Sequence, residues 1–327
     1  MQTMLHRRDF LRLSTAAAAL PLAGRLHAAT PAAKTAPPPK ATNPMTADPA
    51  GLTTYQIGPQ IWVRFDNRLV TCYRAHRSQK YPYLFPLSGP LSGLSVTSET
   101  ALPWPHHRSL FFGCDRVNGG NYWQEDFDKG QILSTGPKLG ATTPDSVEIL
   151  DRCEWQKPGG PIVAKEQRRI TVTVAGSRLR FIDWETQWQA VETITVQKTN
   201  HSLFSARAAL DLTPTGGGQL VNAEGDSGEK ATFGKKSAWC DFSGKRDAAA
   251  GGVIEGIAIL DHPKNPWSPC PWFTRDYGFM SPTPMNWIEK PWQLEASQSV
   301  TLRYRVVVHA GDAKEAGLAE IFKAWAV

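Results

Sequence analysis

The sequence predicts an all-β protein, a large antiparallel β-sandwich that ends in a short helix. Short alternating or β-branched runs recur between residues 60 and 308, and turn-forming pairs such as Asp66-Asn67 and Ala175-Gly176 separate them. Almost none of the intervening segments has helical periodicity, which excludes a doubly wound α/β fold. No repeat at the period of a propeller blade is present, so a propeller is disfavoured.

The clearest predicted strands are, in chain order, Gln60 to Phe65, Leu69 to Tyr73, Arg169 to Val174, Thr193 to Val196 and Thr301 to Val308. Their β-branched and aromatic side chains favour a pleated, half-buried surface. Only the segment from Ala313 to Ala326 has helical spacing, with four large apolar side chains on one face: Leu318, Ile321, Phe322 and Trp325. Gly311-Asp312 marks the predicted start of this helix.

The composition is that of a globular protein. Of the 327 residues, 41% are hydrophobic, which is enough to bury a sizeable core and excludes a chain disordered throughout. The longest apolar stretch, Ser14 to Leu22, is too short to span a membrane, so the sequence excludes an integral membrane protein. The formal charge is +6, but lysines and arginines are dispersed and no nucleic-acid-binding module is recognisable. We therefore predict no nucleic-acid partner.

Residues 1–28 resemble a twin-arginine export signal. Arg7-Arg8 is followed by Phe10-Leu11, a modest apolar region and a small residue, Ala28 or Ala29, at the expected cut. This resemblance implies a periplasmic or secreted protein and a precursor that binds the twin-arginine export machinery. The alternative interpretation is a cytosolic amphipathic helix. Residues 1–28 carry four arginines and one aspartate, and hence +3 of the total charge of +6.

The rest of the chain divides into a linker and one domain. Residues 29–50 are rich in alanine and proline and have few large apolar groups, which predicts a flexible tether. Residues 51–327 then form a single β-sandwich domain. Five cysteines in an oxidising compartment permit two disulfides and one spare thiol, but isolated cysteines are more often small buried hydrophobes. Without a Cys-x-x-Cys spacing, a structural zinc site of that kind is excluded.

The segment from Tyr81 to Trp123 has the composition of a sugar site. His106, His107 and Arg108 supply two imidazoles and an anion-binding guanidinium within three residues. Further along it, planar polar groups suited to sugar hydroxyls stand beside an indole that can lie along a sugar ring: Asp115, Asn118, Asn121 and Trp123. The alternative is an ordinary loop in which a histidine caps a strand and Asn118-Gly119 makes a turn.

A second unusual segment, Ile259 to Gly278, contains four prolines that stiffen an extended loop. We predict that His262, Trp272 and Arg275 face a ligand from this loop. The alternative is a rigid cover over the hydrophobic core, which is the interpretation we favour for Trp267.

Together the two segments resemble an exported bacterial family that carries the label of methane oxygenase and is PmoA-like. The shared strings include Pro82-Tyr83, Pro105-His106-His107-Arg108, the turn at Asn118-Gly119 before Tyr122-Trp123, and Asp261-His262-Pro263 before Tyr277-Gly278. The resemblance implies a galactose-mutarotase-like β supersandwich. This chain has Asn121 where the family usually has a carboxylate, and Phe273 where it often has a histidine. Both departures put catalysis in doubt, though not binding. Membrane methane monooxygenase activity is rejected, because no segment can cross a bilayer.

The leading functional hypothesis is a carbohydrate-active enzyme that works near an anomeric carbon by epimerisation, hydrolysis or elimination, without a cofactor. Such chemistry needs a proton donor and a proton acceptor across a sugar ring. We predict His107 as the acid and His262 or His309 as its partner. Asp115 is the predicted orienting carboxylate or base, and Arg108 and Arg275 bind oxygens that develop charge.

Two alternatives stay open. One is a non-catalytic glycan-binding module, which the residues at positions 121 and 273 favour. The other is a metal site formed by His106, His107, His262 and His309, with Asp115 as a further ligand. Adjacent histidines on a strand point to opposite faces, which argues against a shared ion unless a loop brings them together.

Overall fold

Two antiparallel sheets packed face to face make up the computed structural model, which describes residues 50–124, 126–246 and 252–327. The predicted export signal and nearly all of the predicted linker lie outside the described residues. The first sheet has 11 strands and the second has 9. Every strand pair in both sheets is antiparallel.

The strands of the first sheet are β1 (Leu52–Ile57), β2 (Gln60–Phe65), β3 (Arg68–Arg74), β4 (Tyr83–Leu87), β5 (Leu110–Val117), β6 (Gly120–Asn121), β12 (Ile194–Val196), β13 (Ser202–Arg207), β17 (Trp272–Arg275), β18 (Phe279–Pro282) and β19 (Trp292–Leu294). Those of the second are β7 (Gln131–Ser134), β8 (Lys138–Thr142), β9 (Ser146–Gln156), β10 (Ile162–Ala175), β11 (Leu179–Ala190), β14 (Gln219–Asn222), β15 (Trp239–Lys245), β16 (Ile254–Asp261) and β20 (Ser299–Ala310). The α-helices are α1 (Glu229–Thr232) and α2 (Leu318–Trp325). The main path of the first sheet runs β1-β2-β3-β4-β5-β13-β18-β17, and that of the second runs β14-β15-β16-β20-β11-β10-β9-β7.

The predicted all-β antiparallel sandwich with a short C-terminal helix is confirmed. The helix is shorter than its periodicity indicates, because residues 313–317 form turns. Gly317, with φ of 69°, stands in the left-handed region directly before Leu318, the first helical residue. The apolar face of α2 packs on the second sheet, where Leu318 joins Val307 in a small cluster separate from the main core.

The main core lies between the sheets and contains most of the large aromatic side chains. Phe112 on β5 packs edge-on against Trp155 and Trp188 of the second sheet, at ring distances of 6.1 and 6.4 Å. Its neighbour Phe111 points the other way and packs against Tyr81 and Trp123. At β5 the first sheet is therefore covered on both faces, and its outer face there, the one turned away from the second sheet, carries its own aromatic layer.

All five cysteines are free and buried, as expected for small hydrophobic side chains: Cys72, Cys114, Cys153, Cys240 and Cys270. Among the described residues, no helix is both long and apolar enough to cross a membrane.

Candidate functional site

A cluster of polar side chains lies against the aromatic layer on the outer face of the first sheet. Asp115 comes from β5 and Arg207 from the end of β13. His106 and His107 lie in the loop before β5, and His201 directly precedes β13. Phe279 on β18 shares a face with its register partner Arg207 and packs on both His107 and Trp123. Residues from three neighbouring strands and two loops thus meet at one place.

The three imidazoles form a row. The ring of His106 lies 4.5 Å from that of His107 and 5.5 Å from that of His201, in edge-to-face arrangements in both cases. The row ends on one side at Phe279, whose ring is stacked 4.2 Å from His107. A loop rather than a strand carries His106 and His107, which is why two adjacent histidines reach the same site.

Local hydrogen bonds fix this loop. The Tyr81 hydroxyl donates to the carbonyl of His106, and the amide of His107 donates to the carbonyl of Trp104 at 3.1 Å. Downstream, Ser109 donates from its hydroxyl to Thr97 at 2.7 Å. The loop is therefore anchored at both ends of the His-His pair.

Asp115 orients the other end of the row. Its Oδ2 lies 3.3 Å from Nδ1 of His201, and that same nitrogen lies 3.2 Å from Nε2 of Gln124. The carboxylate needs a proton on Nδ1, whereas the amide nitrogen needs a lone pair there, so one tautomer cannot satisfy both. Asp115 is buried, and a charge-assisted bond is the stronger of the two. We therefore assign the proton to Nδ1, which leaves Nε2 of His201 as an acceptor.

Arg207 supplies a positive charge beside the histidines. Its guanidinium carbon lies 4.5 Å from the centre of the Tyr277 ring, and the residue is buried, with only 5% of its surface exposed. Burial lowers the pKa of Arg207 and raises that of Tyr277. Burial also lowers the pKa of His106 to about 4 and that of His107 to about 2, and the charge of Arg207 adds to both shifts. Both imidazoles are therefore neutral at pH 7.

Buried polar atoms without a hydrogen-bond partner are concentrated at this cluster. Among the described residues they include Nε2 of His106, Nδ1 of His107, Oδ1 of Asp115, Nε1 of Trp123, and Nε and Nη1 of Arg207. Such atoms are costly in a folded protein and are rarely left unpaired. Their convergence indicates a place prepared for a polar ligand. Trp104, 43% exposed, stands 5.9 Å from His106 at the solvent side of the cluster.

Comparison with protein families gives a match over residues 60–323 to a family of unknown function, DUF6807. The chain belongs to the DUF6807 family. No curated protein sequence matches it.

Solved structures that are similar to this DUF6807 protein include aldose epimerase-type proteins. One is galactose 1-epimerase from Lactobacillus acidophilus NCFM, with a TM-score of 0.40, 9% identity, and coverage of 80% of this chain and 98% of that one. A galactose mutarotase related enzyme from Lactobacillus acidophilus has a TM-score of 0.31 and 10% identity, with coverage of 79% of this chain and 97% of that one. A GalM/aldose epimerase homologue from C. elegans has a TM-score of 0.32 and 11% identity, with coverage of 80% of this chain and 96% of that one. Similarity at this level carries no information about substrate.

The structure brings His106, His107, Asp115 and Trp123 of the predicted site together. It places His262 and His309 elsewhere in the DUF6807 protein, with the second sheet. His262 packs edge-on against Trp325 of α2 at 4.7 Å. His309 is fully buried, where it contacts Asp241 at 2.8 Å and the carbonyl of Gly311 at 3.1 Å.

Three other predicted binding residues have structural contacts. Asn118 uses its amide group to join the β5–β6 turn to residues 192–195. Asn121 accepts hydrogen bonds at 2.9 Å from the amides of Trp123 and of residue 124, and thereby fixes the turn that positions the indole. Trp272 is fully buried and donates to the carbonyl of Ser237 at 2.9 Å, so it has no surface for stacking on a ligand.

The two predicted anion-binding arginines lie beside the cluster. Arg108 donates to Gln79 at 2.5 Å and lies over the Tyr83 ring. Arg275 pairs with Glu229 at 3.0 Å and stacks on Phe273 at 4.2 Å. Phe273, one of the family departures, packs in turn on Phe279 at 5.9 Å. Two phenyl rings, those of Phe273 and Phe279, thus lie between Arg275 and His107.

Sequence reasoning missed His201, Arg207 and Tyr277. His201 stands alone before a strand, and Arg207 ends an apolar strand, so neither belongs to a recognisable motif. The sequence offered only a weak indication of His201: it is one of only 8 histidines in the chain, and it follows the turn-forming pair Thr199-Asn200.

Proposed function

We propose that this DUF6807 protein binds a carbohydrate at the cluster of His106, His107, His201, Asp115 and Arg207, and acts on it near the anomeric carbon by acid–base chemistry. The observation that carries the proposal is the convergence of unpaired, buried donors and acceptors beside indole and phenyl rings. Sugars present both kinds of surface, since hydroxyls pair with the polar atoms and the ring's C–H face lies on an aromatic side chain.

The environment assigns roles to the side chains. Burial and the charge of Arg207 keep the His107 imidazole neutral, so we propose it as a proton acceptor rather than as the acid predicted from the sequence, and its basicity rises once a bound substrate offsets the charge of Arg207. His201, held by Asp115, is positioned to exchange a proton at Nε2. Arg207 provides the positive charge of the site. Epimerisation, hydrolysis and elimination all fit this set.

The test is to incubate the purified protein with a panel of sugars, glycosides and oligosaccharides, and to follow binding by calorimetry and products by chromatography. His107→Gln removes the base but keeps a hydrogen-bonding side chain, and we expect turnover to fall about 100-fold or more. His262→Gln is the matched control, since it lies on the second sheet. Equal turnover in wild type and His107→Gln would remove His107 from the mechanism.

A glycan-binding module is a second candidate, because the one carboxylate found in the described cluster, Asp115, is engaged with His201. In that case calorimetry detects binding and no panel member gives a product. A Trp123→Ala variant then loses affinity, because the indole that the ligand stacks against is gone.

A metal site is a third candidate, with a different set of candidate ligands from the one predicted from the sequence. Ligand nitrogens of His106, His107 and His201 lie within 4.8 Å of one another. His262 and His309, which the sequence hypothesis included, lie with the second sheet. Three imidazoles suit zinc and other divalent transition metals. Elemental analysis of protein purified without an affinity tag tests this, and less than about 0.1 metal per chain would exclude it.

We also propose, from residues 1–28 alone, that the twin-arginine machinery exports the protein to the periplasm or beyond. Export of a reporter fused to these residues, compared with an Arg7→Lys, Arg8→Lys variant, tests this. Equal export of the two would refute it.

A further inference from the structure

The feature that the site leaves unexplained is the charge of Arg207. Arg207 is buried, with 5% of its surface exposed, and two of its guanidinium nitrogens, Nε and Nη1, have no hydrogen-bond partner. The ring of Tyr277 covers the guanidinium at 4.5 Å. Among the described residues, no carboxylate forms an ion pair with it.

Two other buried arginines of the described chain have carboxylate partners. Arg168 makes an ion pair with Glu166 at 2.6 Å. Arg246 pairs with Asp211 at 3.0 Å and lies 3.6 Å from Glu255. Arg180, also buried, has no ion-pair partner among the described residues but donates to a backbone carbonyl. Of these four buried arginines, only Arg207 has a guanidinium with neither an ion pair nor a hydrogen bond to the described residues.

The groups around Arg207 determine what can compensate its charge. His106 and His107 are neutral, and each can donate one N–H to an oxyanion. Trp123 has an unpaired indole N–H, which is also a donor. Asp115, the buried carboxylate of the cluster, is held by His201. A cation would be repelled by Arg207, whereas an anion would gain a charge-assisted hydrogen bond in a water-poor environment.

We propose that the substrate carries a carboxylate, as in a hexuronic acid or a uronide, and that Arg207 binds it. This inference rests on the proposed function, since it names the class of sugar that the same site takes. The Tyr277 ring lies 4.5 Å from the guanidinium carbon, a cation–π contact that favours this position of the side chain.

The experiment compares sugars that differ only in this group. Glucuronate is measured against glucose and against glucuronate methyl ester, and galacturonate against galactose, by calorimetry on the wild-type protein. Disaccharide uronides extend the same pairs. We expect the acids to bind about 10- to 100-fold more tightly than their neutral partners. Equal affinity for acids and neutral sugars would overturn the inference and leave the proposed function standing, whereas no binding of any sugar would overturn both.

Variants separate binding from folding. Arg207→Met removes the charge at similar volume, and we expect it to abolish the preference for acids while the ligand-free protein unfolds at a urea concentration at least as high as that of the wild type. Arg305→Gln, whose side chain pairs with Asp183 on the second sheet, is the control and keeps the preference. A drop in stability of ligand-free Arg207→Met would assign Arg207 to the scaffold instead. If acetate stabilises the wild type as much as glucuronate does, the site takes a free carboxylate and not a sugar acid.

Discussion

Acidification should destabilise the protein through the two buried histidines. The unfolded chain binds protons at His106 and His107 as the pH falls through about 6.5, whereas the native protein keeps them neutral until the pH reaches about 4 and about 2. Since the native pKa values lie below the unfolded ones, the native state is at no disadvantage above pH 6.5 and loses stability below it. At pH 5, which is about 1.5 units below the pKa of the unfolded imidazoles, protonation favours the unfolded state by about 2 kcal/mol for each histidine. The free energy of unfolding is therefore lower by about 4 kcal/mol for the two together.

The measurement is urea unfolding at pH 7 and at pH 5, followed by tryptophan fluorescence. Other groups titrate in this range, so the variants decide the result. His107→Gln carries no titrating group at this position, and we expect its free energy of unfolding to fall by about 2 kcal/mol less than that of the wild type between the two pH values. His76→Gln, at an exposed site, should behave as the wild type does.

An equal fall in wild type and His107→Gln would refute the reasoning. It would mean that the native protein protonates His107 at pH 5, and that the site is better hydrated than its burial indicates.

Two further predictions concern the scaffold. Glu166→Gln leaves the buried guanidinium of Arg168 without its anion and should lower the free energy of unfolding in urea by about 3–5 kcal/mol. Glu185→Gln, at a more exposed pair, should lower it by about 1 kcal/mol or less. Equal losses in the two variants would show that burial of the first pair does not matter. Gly113→Ala would place a methyl group 2.8 Å from the carbonyl oxygen of Tyr122, so it should destabilise the protein and weaken ligand binding beside the displaced indole. Unchanged binding by calorimetry in a folded Gly113→Ala protein would disconnect that turn from the site.

The strands were predictable from the sequence because their signal is local. Gln60 to Phe65 has the bounds that its pattern indicates, since alternating side chains and an Asp-Asn turn fix both the pleat and its end. The strand predicted from Arg169 to Val174 extends in the structure from Ile162 to Ala175. Its first half contains Lys165, Glu166 and Gln167, which do not resemble a half-buried strand, and partners in the second sheet rather than local preference hold them there.

The site was predictable only where its residues are neighbours in the chain. His106, His107, Asp115 and Trp123 fall within one segment with an unusual composition. His201 and Arg207 enter because β13 pairs with β5 and β18, and long-range strand pairing of this kind leaves no mark on the residues themselves. The proline-rich loop from Ile259 to Gly278 is a different case. Its composition suggested a binding loop, but Trp272 serves the core and His262 packs on the terminal helix.

The position of Trp104 makes its intrinsic fluorescence a probe of the candidate site. It is the most exposed of the 12 tryptophans, and it stands beside the imidazole row. A small aqueous quencher such as iodide or acrylamide should therefore reach it before the others. A ligand that enters the cluster covers this ring, so protection from quenching would report occupancy without a label. Trp104→Phe would lose that signal and keep the fluorescence of the core.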